Sequence, residues 1–328
     1  MVKWGVIGAG QMAKVFARSI KEVSNANLVA ISSKNKDKLE SFGNEFKIDH
    51  KLRFKTYEDI CKNNEIDAIY ISTLNNTHLD LIKLAANNNK NILCEKPFCL
   101  NLNEALEIQK VLKESNSKFF EAIAYLSHPQ TSQIFNLLNN NEIGEIKSIE
   151  SSFGFKVRKI DPQSRLFNKD LGGGAILDVG CYPLSFISLF LEKDSNIDFK
   201  DITGEVCHTN VDIEAAADLI INNKIKCKIN VSLKKYFKNN SIIKGTKGTM
   251  IINFPWLPDK KVYLEIFNKD RYYKMFVNSD LTVYANQIQK VSEEFKKEEN
   301  TEHKLFDISK SFKNMKYLDY WIKNINKN

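Results

Sequence analysis

The sequence has few of the features that mark metal-binding or disulfide-rich proteins. Its 328 residues include six cysteines, and these show neither the close pairs of a metal site nor the spacing of a disulfide framework. Cysteines in apolar surroundings behave as small hydrophobic residues, which fits a reducing compartment. We therefore expect a cytoplasmic protein with no bound metal.

Long apolar runs and an N-terminal leader are also lacking. The longest apolar run, residues 179–191, is shorter than the roughly 20 residues that span a bilayer. The first predicted strand begins at Val2, which leaves no room for a signal peptide. The sequence therefore predicts no membrane partner.

The positive charge is not concentrated in one segment. The net charge of +8 would suit an anionic partner, such as nucleic acid or a phosphate-bearing cofactor. The lysines are scattered among asparagines and glutamates, and no basic stripe with interleaved aromatics accompanies them, so we expect no nucleic-acid partner. With 43% hydrophobic residues, the chain is long enough to build two domains with separate cores.

The N-terminus carries the pattern of a dinucleotide-binding site. A predicted strand at residues 2–7 is followed by residues 8–13 (GAGQMA), which match G-x-G-x-x-A, and then by helical spacing to about residue 21. The first glycine permits a tight turn, the second lets a pyrophosphate approach the backbone, and the small third residue lets helix pack on strand. The start of that helix can hold the pyrophosphate. Strands and helices alternate as far as residue 96, which predicts a parallel, doubly wound sheet.

The second predicted strand, residues 28–31, ends without the acidic residue that binds the ribose 2′-hydroxyl in NAD-specific sites. The next acid is Asp37, which belongs to the following predicted helix. Ser33 and Lys34 instead offer a hydroxyl and a cation that suit a 2′-phosphate. Alternatively, Lys34 is one more surface lysine in a lysine-rich chain. The pattern favours NADP(H), with NAD(H) possible.

Two further strands end at the same predicted edge of the sheet. One, at residues 66–73, precedes Asn75 and His78, and the other delivers Glu95 and Lys96. Ligands of open α/β sheets lie at this carboxyl edge. We expect Lys96 to lie beside the nicotinamide and His78 to be adjacent to the cofactor only. The alternative is an ordinary strand end with solvated charges.

The pattern changes from about residue 124. Residues 171–174 (LGGG) let the backbone approach another group closely, and a predicted helix at 175–191 carries Asp178 and Tyr182 on one face. A mainly antiparallel sheet is predicted, with an exposed face available for self-association; its strands fall within residues 146–155, 211–233, 248–254, 261–267 and 272–277. Two charged helices follow from about Thr282, with anchors typical of packing: Phe306, Phe312, Tyr317, Tyr320 and Trp321.

Lys96, Asp178 and Tyr182 have the chemistry of a carbonyl–alcohol interconversion. Such a reaction needs a hydride and a group that gives or takes a proton. A tyrosine has a reference pKa near 10, and a nearby ammonium such as Lys96 would lower the pKa of Tyr182 and polarise the substrate oxygen. Asp178 would orient the substrate or the lysine. The alternative is a tyrosine at a helix–sheet contact and an aspartate that caps backbone donors.

The motifs together resemble the glucose-fructose oxidoreductase, inositol dehydrogenase and rhizopine-catabolism family (Gfo/Idh/MocA). The resemblance rests on residues 8–13, 73–78 and 95–97, on GGGA and DVGCY within 172–182, and on GTKG at 245–248. It implies a Rossmann domain at 1–122 and a substrate-binding α+β domain at 123–328, whose large, mainly antiparallel open sheet forms a homodimer or homotetramer. The family usually has proline where Leu74 stands, a departure that bears on loop shape.

Tyr182 also resembles one branch of that family. Many inositol-dehydrogenase-like members have histidine there, whereas glucose-fructose oxidoreductase, dimeric dihydrodiol dehydrogenase and the NADP-linked xylose dehydrogenases have tyrosine. The resemblance implies NADP(H) as cofactor, a cofactor role for Glu121 and a Lys96–Pro97 bond that is often cis. Arg165 fits a substrate contact but could equally be a surface arginine.

The implied activity is an NAD(P)-dependent dehydrogenase or reductase for a secondary alcohol or carbonyl of a sugar-like or cyclic diol substrate. A nucleotide-sugar or inositol dehydrogenase, or a non-catalytic NAD(P)-binding regulator, are the alternatives. The expected cofactor-binding residues are Gly8, Gly10, Gln11, Met12, Ser33, Lys34, Thr73, Asn75, His78, Glu95 and Glu121.

Overall fold

The computed structural model describes residues 1–192, 195–238, 240–269, 271–297 and 308–325. The chain forms two compact units. The first comprises Met1–Ser127 and Leu281–Ile308, and the second comprises His128–Asp280 and Ser309–Asn328. This division differs from the expected boundary between residues 122 and 123, because a C-terminal segment returns to the first unit.

The first unit contains a six-stranded sheet in which all neighbouring strands are parallel. The strands are β1 (Val2–Ile7), β2 (Ala26–Ser32), β3 (Arg53–Phe54), β4 (Ala68–Ile71), β5 (Asn91–Cys94) and β6 (Phe119–Glu121). Their order, β3-β2-β1-β4-β5-β6, reverses direction at β1. The helices are α1 (Gln11–Ser19), α2 (Lys36–Glu45), α3 (Tyr57–Lys62), α4 (His78–Asn87) and α5 (Leu102–Glu114). The predicted doubly wound Rossmann sheet is confirmed.

A later helix, α8 (Val283–Lys296), completes the core of this unit. The indole N–H of Trp4 on β1 donates to Ser292 Oγ at 3.1 Å, across 288 residues of sequence. Ile288 and Val291 belong to the same cluster of buried side chains as Trp4. The burial of an otherwise exposed tryptophan face explains why this segment belongs to the first unit.

The second unit contains an eight-stranded sheet in the order β14-β13-β12-β11-β7-β10-β9-β8. Its pairs are antiparallel except for β7 with β10, so the predicted mainly antiparallel sheet is confirmed. The strands are β7 (Ile146–Gly154), β8 (Ile197–Val206), β9 (Asp212–Ile221), β10 (Ile225–Ser232), β11 (Asn240–Gly245), β12 (Gly248–Asn253), β13 (Lys261–Asn268) and β14 (Tyr272–Asn278).

The helices of this unit are α6 (Pro129–Asn139), α7 (Cys181–Ser188) and α9 (Ile308–Asn324). Of the expected tail anchors, Trp321 and Tyr317 are buried, Tyr320 is exposed, and Phe306 lies outside the described residues. The stretch Lys169–Ser188 is long and apolar enough to cross a membrane, but 89% of its apolar window is buried inside the fold, as in a core helix.

Candidate active site

The turn between β1 and α1 forms a cradle for an anion. Gly8 has φ +97°, and a Cβ there would lie 3.0 Å from Thr73 Cγ2 and 3.1 Å from the Ser72 carbonyl oxygen, so glycine is required. Gly10 precedes α1, and among the described residues a Cβ there would meet only the Ser72 oxygen, at 4.0 Å. Among the described residues, no side chain caps α1. The first backbone N–H groups of α1, around Gln11 and Met12, can therefore bind a pyrophosphate.

The loop after β2 presents a cation at its surface. Ser33 is buried, and its hydroxyl accepts a hydrogen bond from the Asn35 backbone N–H at 3.3 Å. Lys34 is exposed, and its ammonium lies 5.0 Å from the centre of the Tyr57 ring. Cation–π contact holds the lysine side chain over α3 and leaves its N–H donors available to a phosphate. No pattern in the sequence indicated Tyr57.

His78 lies between two of the loops at this edge. Its ring is fully buried, with Nδ1 at 3.0 Å from the Pro97 carbonyl oxygen and Nε2 at 3.4 Å from the Thr73 carbonyl oxygen. Burial lowers the pKa of His78 to about 4, so the ring is neutral at pH 7. A neutral ring has a single N–H, and the shorter distance favours its donation from Nδ1 to the Pro97 carbonyl oxygen, so His78 holds the Pro97 loop. Asn75, half-buried, begins the 3₁₀ turn between Thr73 and His78.

The loop after β5 is held by two carboxylates, those of its own Glu95 and of Glu121 at the end of β6. The Tyr70 hydroxyl donates to Glu95 Oε1, and the Lys96 backbone N–H donates to Glu95 Oε2 at 3.3 Å. The Phe98 backbone N–H donates to Glu121 Oε1 at 3.3 Å. The Lys96–Pro97 peptide bond is cis, as the resemblance implied. Lys96 itself is half-buried at the carboxyl edge of the sheet, the edge where the Gly8 turn also lies.

Tyr284 on α8 joins this neighbourhood, although its position in the sequence suggested the second domain. Its pKa is raised by burial and by the negative charge of Glu95, and is lowered by the positive charge of Lys96. Tyr284 therefore lies within electrostatic reach of both groups. The packing of α8 against the first unit brings it there, and only the long-range contact of Trp4 would have revealed it.

In the second unit, Asp178 and Tyr182 lie at a junction between two helix types. Residues Ile176–Gly180 form a π-helical turn, and α7 follows and ends at Ser188, whereas the sequence predicted one helix over 175–191. Pro183 has no N–H with which to continue the backbone pattern. The thiol of Cys181 instead donates to the Asp178 carbonyl oxygen at 3.8 Å. Wide turns of this kind are frequent at functional sites.

Two predicted site residues of the second unit contact each other. Arg165 Nη1 donates to Asp178 Oδ1 at 2.8 Å, with half of the arginine side chain exposed and the aspartate almost fully buried. Tyr182 is buried with its ring in edge contact with Phe153, at 5.3 Å between centroids. Arg165 is therefore partly exposed and forms an ion pair with Asp178. The ion pair fixes the Asp178 carboxylate on the side of the π-helical turn.

A carboxylate that the sequence did not indicate holds the start of this helical segment. Asp212 Oδ2 accepts the Ile176 backbone N–H at 2.7 Å, and the Ala175 N–H also bonds to this carboxylate. Gly174 has φ +115°, and a Cβ there would lie 2.3 Å from Asp212 Oδ1. The group that approaches the glycine run closely is therefore the chain's own aspartate. Burial raises the pKa of Asp212 to about 6, against the effect of these hydrogen bonds.

Two protein-family models match this chain, one within each unit. The family described as "Oxidoreductase family, NAD-binding Rossmann fold" (GFO_IDH_MocA) matches residues 2–123, and the GFO/IDH/MocA C-terminal domain matches residues 131–251. Among curated proteins, the chain is 30% identical over 263 residues to trans-1,2-dihydrobenzene-1,2-diol dehydrogenase of Xenopus tropicalis, covering 78% of this chain and 77% of the relative. It is 28% identical over 188 residues to D-xylose 1-dehydrogenase (NADP(+)) 2 of Haloferax volcanii, covering 57% of each.

Among solved structures, the chain resembles KijD10, a 3-ketoreductase from Actinomadura kijaniata in complex with NADP and TDP-benzene. The TM-score is 0.87 at 22% identity, over 99% of this chain and 98% of that one, which is a likeness of fold. The predictions of family and of an NAD(P)-dependent dehydrogenase or reductase acting on CH–OH groups are confirmed. The chain belongs to the GFO/IDH/MocA family of oxidoreductases.

Proposed function

We propose that the protein is an NADP(H)-dependent oxidoreductase that moves a hydride to or from a secondary alcohol or carbonyl of a sugar-like or cyclic diol substrate. The observation that carries this proposal is the carboxyl edge of the first sheet, which presents both the open start of α1 and the side chain of Lys96. The diol and xylose dehydrogenases among its relatives support the substrate class.

The first unit fits a dinucleotide. The cradle at Gly8 and Gly10 lets a pyrophosphate reach the backbone N–H groups of Gln11 and Met12. When bound, the nicotinamide supplies or accepts the hydride. Of the other expected contacts, Thr73, Asn75 and Glu95 lie in the loops at this edge, and Glu121 is the last residue of β6. Thr73 Oγ1 shares a hydrogen bond of 2.6 Å with Thr77 Oγ1.

The preference for NADP(H) rests on Lys34. We expect NADPH to bind more tightly than NADH, because the exposed ammonium meets the 2′-phosphate. Lys34→Ala should raise the Kd of NADPH at least about tenfold and leave that of NADH within twofold, as measured by cofactor fluorescence. Lys113→Ala, which removes an exposed lysine in the last turn of α5, is the matched control. Equal affinities of the wild type for both cofactors would refute the preference.

We assign the transfer of the substrate's proton to Lys96 and Tyr182. In the reductive direction, the alkoxide formed from the substrate carbonyl would take a proton from the Tyr182 hydroxyl, and the positive charge of Lys96 would favour the loss of that proton. In the oxidative direction the same groups accept the proton of the alcohol. Asp178, held by Arg165, orients the substrate hydroxyl.

The test is a substrate panel followed by one variant. Sugars, inositols, dihydrodiols and nucleotide sugars would be offered with NADPH or NADP⁺, with cofactor absorbance as the readout. With the best substrate, Lys96→Ala should slow turnover by about two orders of magnitude and leave the Kd of NADPH within about threefold. The control is again Lys113→Ala. A Lys96→Ala variant that keeps the full rate would remove Lys96 from the mechanism.

The panel also decides between the alternatives. Activity confined to inositols or nucleotide sugars would favour those dehydrogenases, and no turnover with any member would favour a binding protein. Self-association as a homodimer or homotetramer is proposed through the open face of the second sheet, where Phe267, Tyr272 and Phe276 are exposed on β13 and β14. Sedimentation velocity of the wild type would measure it.

A further inference from the structure

Tyr70 occupies a position from which its hydroxyl reaches the loop that carries Lys96. It lies on β4, where it pairs with Leu93 of β5, and only 2% of its surface is exposed. Its hydroxyl donates to Glu95 Oε1, while Glu95 Oε2 accepts the backbone N–H of Lys96 at 3.3 Å. The Glu95 carboxylate therefore bridges the tyrosine and the peptide group of Lys96.

The ring of Tyr70 has little freedom to move away from this bond. It stacks on Phe16 of α1, with 4.3 Å between ring centroids and 14° between the planes. Both rings belong to the buried core cluster of the first unit. A tyrosine has only two side-chain torsions, and close packing on both sides leaves its hydroxyl at one place. The position of the Glu95 carboxylate is consequently set by the core.

The charges favour a strong hydrogen bond. Burial, and then the charge of Glu95, raise the pKa of Tyr70 well above its usual range, so the hydroxyl keeps its proton and donates throughout the working pH range. A hydroxyl that donates to a carboxylate makes a shorter and stronger bond than a neutral pair does. The pKa of neighbouring Tyr284 responds to both Glu95 and Lys96, with opposite signs, which places the carboxylate and the ammonium in one neighbourhood.

We propose that Tyr70 is a positioning residue for Lys96, and that it acts through the Glu95 carboxylate. This inference rests on the proposed function of Lys96 in proton transfer. Tyr70 and Glu95 fix the peptide group from which the lysine side chain departs, and the carboxylate keeps a negative charge near the ammonium. Small displacements of a catalytic group have large effects on rate, so this bond should affect turnover more than binding.

The test is a double-mutant cycle of Tyr70→Phe and Glu95→Gln, measured with the best substrate of the panel. Tyr70→Phe keeps the ring stack and removes only the hydroxyl. It should lower kcat about tenfold and leave KM and the Kd of NADPH within about twofold. In the Glu95→Gln background the same change should lower kcat less than about twofold, because Tyr70 acts through the carboxylate.

A pH profile separates positioning from a purely structural role. Because the Tyr70 hydroxyl donates to the Glu95 carboxylate, Tyr70→Phe should lower kcat more at the acid end of the profile than at pH 8. A structural defect alone would lower kcat equally at every pH. Tyr317→Phe removes a tyrosine hydroxyl of the second unit that accepts the Ile197 backbone N–H; it is the control and should leave the profile unchanged.

The outcomes distinguish this inference from the proposed function. Equal fractional losses in the two backgrounds, or an unchanged kcat and profile in Tyr70→Phe, would overturn the role of Tyr70. If Tyr70→Phe does not fold, Glu95→Gln alone should still show the tenfold loss and the altered acid limb, and a wild-type profile there would overturn the inference. If Lys96→Ala keeps its rate, the proposed function fails first. If Lys96→Ala is inactive while the cycle shows no coupling, only the inference fails.

Discussion

Two helical segments of this chain begin after a glycine-rich turn, and their first backbone N–H groups meet different partners. At the start of α1, after Gly8 and Gly10, no described side chain accepts from them. At Ile176, after Gly174, the carboxylate of Asp212 accepts the backbone N–H at 2.7 Å. Both starts attract negative charge because of their unpaired N–H groups and the helix dipole. One start is open to a ligand, and the other is occupied by the protein.

The difference teaches what the glycines are for. Gly8 and Gly174 both have positive φ, at +97° and +115°. Beside Gly8 lie Thr73 and the backbone of Ser72, so that glycine shapes the turn, and the space next to Gly10 stays free. Beside Gly174 lies a carboxylate oxygen, so that glycine makes room for a cap. Under the proposed function the open start binds the cofactor, and the capped start fixes the segment that carries Asp178 and Tyr182.

The largest effect should come from filling the space at the capped start. Gly174→Ala places a Cβ 2.3 Å from Asp212 Oδ1 at a φ that side chains rarely adopt. Backbone strain and weakened hydrogen bonds to a buried carboxylate each cost about 1–3 kcal/mol. We expect the free energy of unfolding to fall by about 3–5 kcal/mol, measured by urea denaturation followed by circular dichroism.

The contrast with the open start is the control for that variant. Gly10→Ala introduces the same methyl group before a helix, at a φ of −87° and with no close neighbour among the described residues. It should leave the free energy of unfolding within about 0.5 kcal/mol of the wild type. If both variants lost the same stability, the two starts would not differ in the way described.

A somewhat smaller effect should appear in the pH dependence of the free energy of unfolding, through Asp212 at the capped start. The folded-state pKa of Asp212 is raised to about 6 from the ordinary aspartate value of 3.8, so the native state holds this proton more strongly than the unfolded state does. Its contribution to stability is fully present below pH 3.8 and is lost as the pH rises through 6. Relative to Asp212→Asn, the wild type should lose about 2 kcal/mol between pH 4 and pH 7.

The measurement is the difference in unfolding free energy between the two proteins at several pH values. Taking the difference cancels the pH-dependent stability contributed by the other titrating groups. His78 is one of them, and its lowered pKa gives the opposite slope, because its contribution is present above pH 6.5 and is lost as the pH falls toward 4. A difference that stays constant from pH 4 to pH 8 would show that the Asp212 carboxylate is not held as described.

The same comparison marks how far the sequence could predict the molecule. The alternation of strands and helices, and the G-x-G-x-x-A pattern, predicted the parallel sheet and its carboxyl edge, because these signals are local. Lys96, Asn75 and Lys34 were expected at that edge for the same reason. The predicted helix at 175–191 was partly right: its span was recognised, but the π-helical turn depends on Pro183 and Cys181 together.

What the sequence could not predict depends on contacts between distant segments. Asp212 caps a backbone group 36 residues earlier, and a backbone N–H has no signature in the sequence. Tyr284 reaches Glu95 and Lys96 only because α8 packs on Trp4. The sequence indicated Tyr70 as a buried strand residue and gave no partner for its hydroxyl. That partner, Glu95, follows the neighbouring strand β5. Contacts of this kind also place α8 in the first unit, whereas the sequence indicated a second domain from residue 123 onward.

The smallest expected effect tests whether the open start of α1 is a binding site. A methyl group at Gly10 meets no close neighbour in the described part of the chain, so it should lie where a pyrophosphate would approach the backbone. Gly10→Ala should therefore raise the Kd of NADPH about tenfold, through loss of part of a charge-assisted hydrogen bond, without changing stability. Fluorescence titration measures the affinity, and Gly174→Ala, titrated under conditions where it is folded, should bind with a Kd within about twofold of the wild type. A Gly10→Ala variant with wild-type affinity would mean that the uncapped N–H groups of α1 do not hold the cofactor, and the functional contrast between the two starts would then be lost.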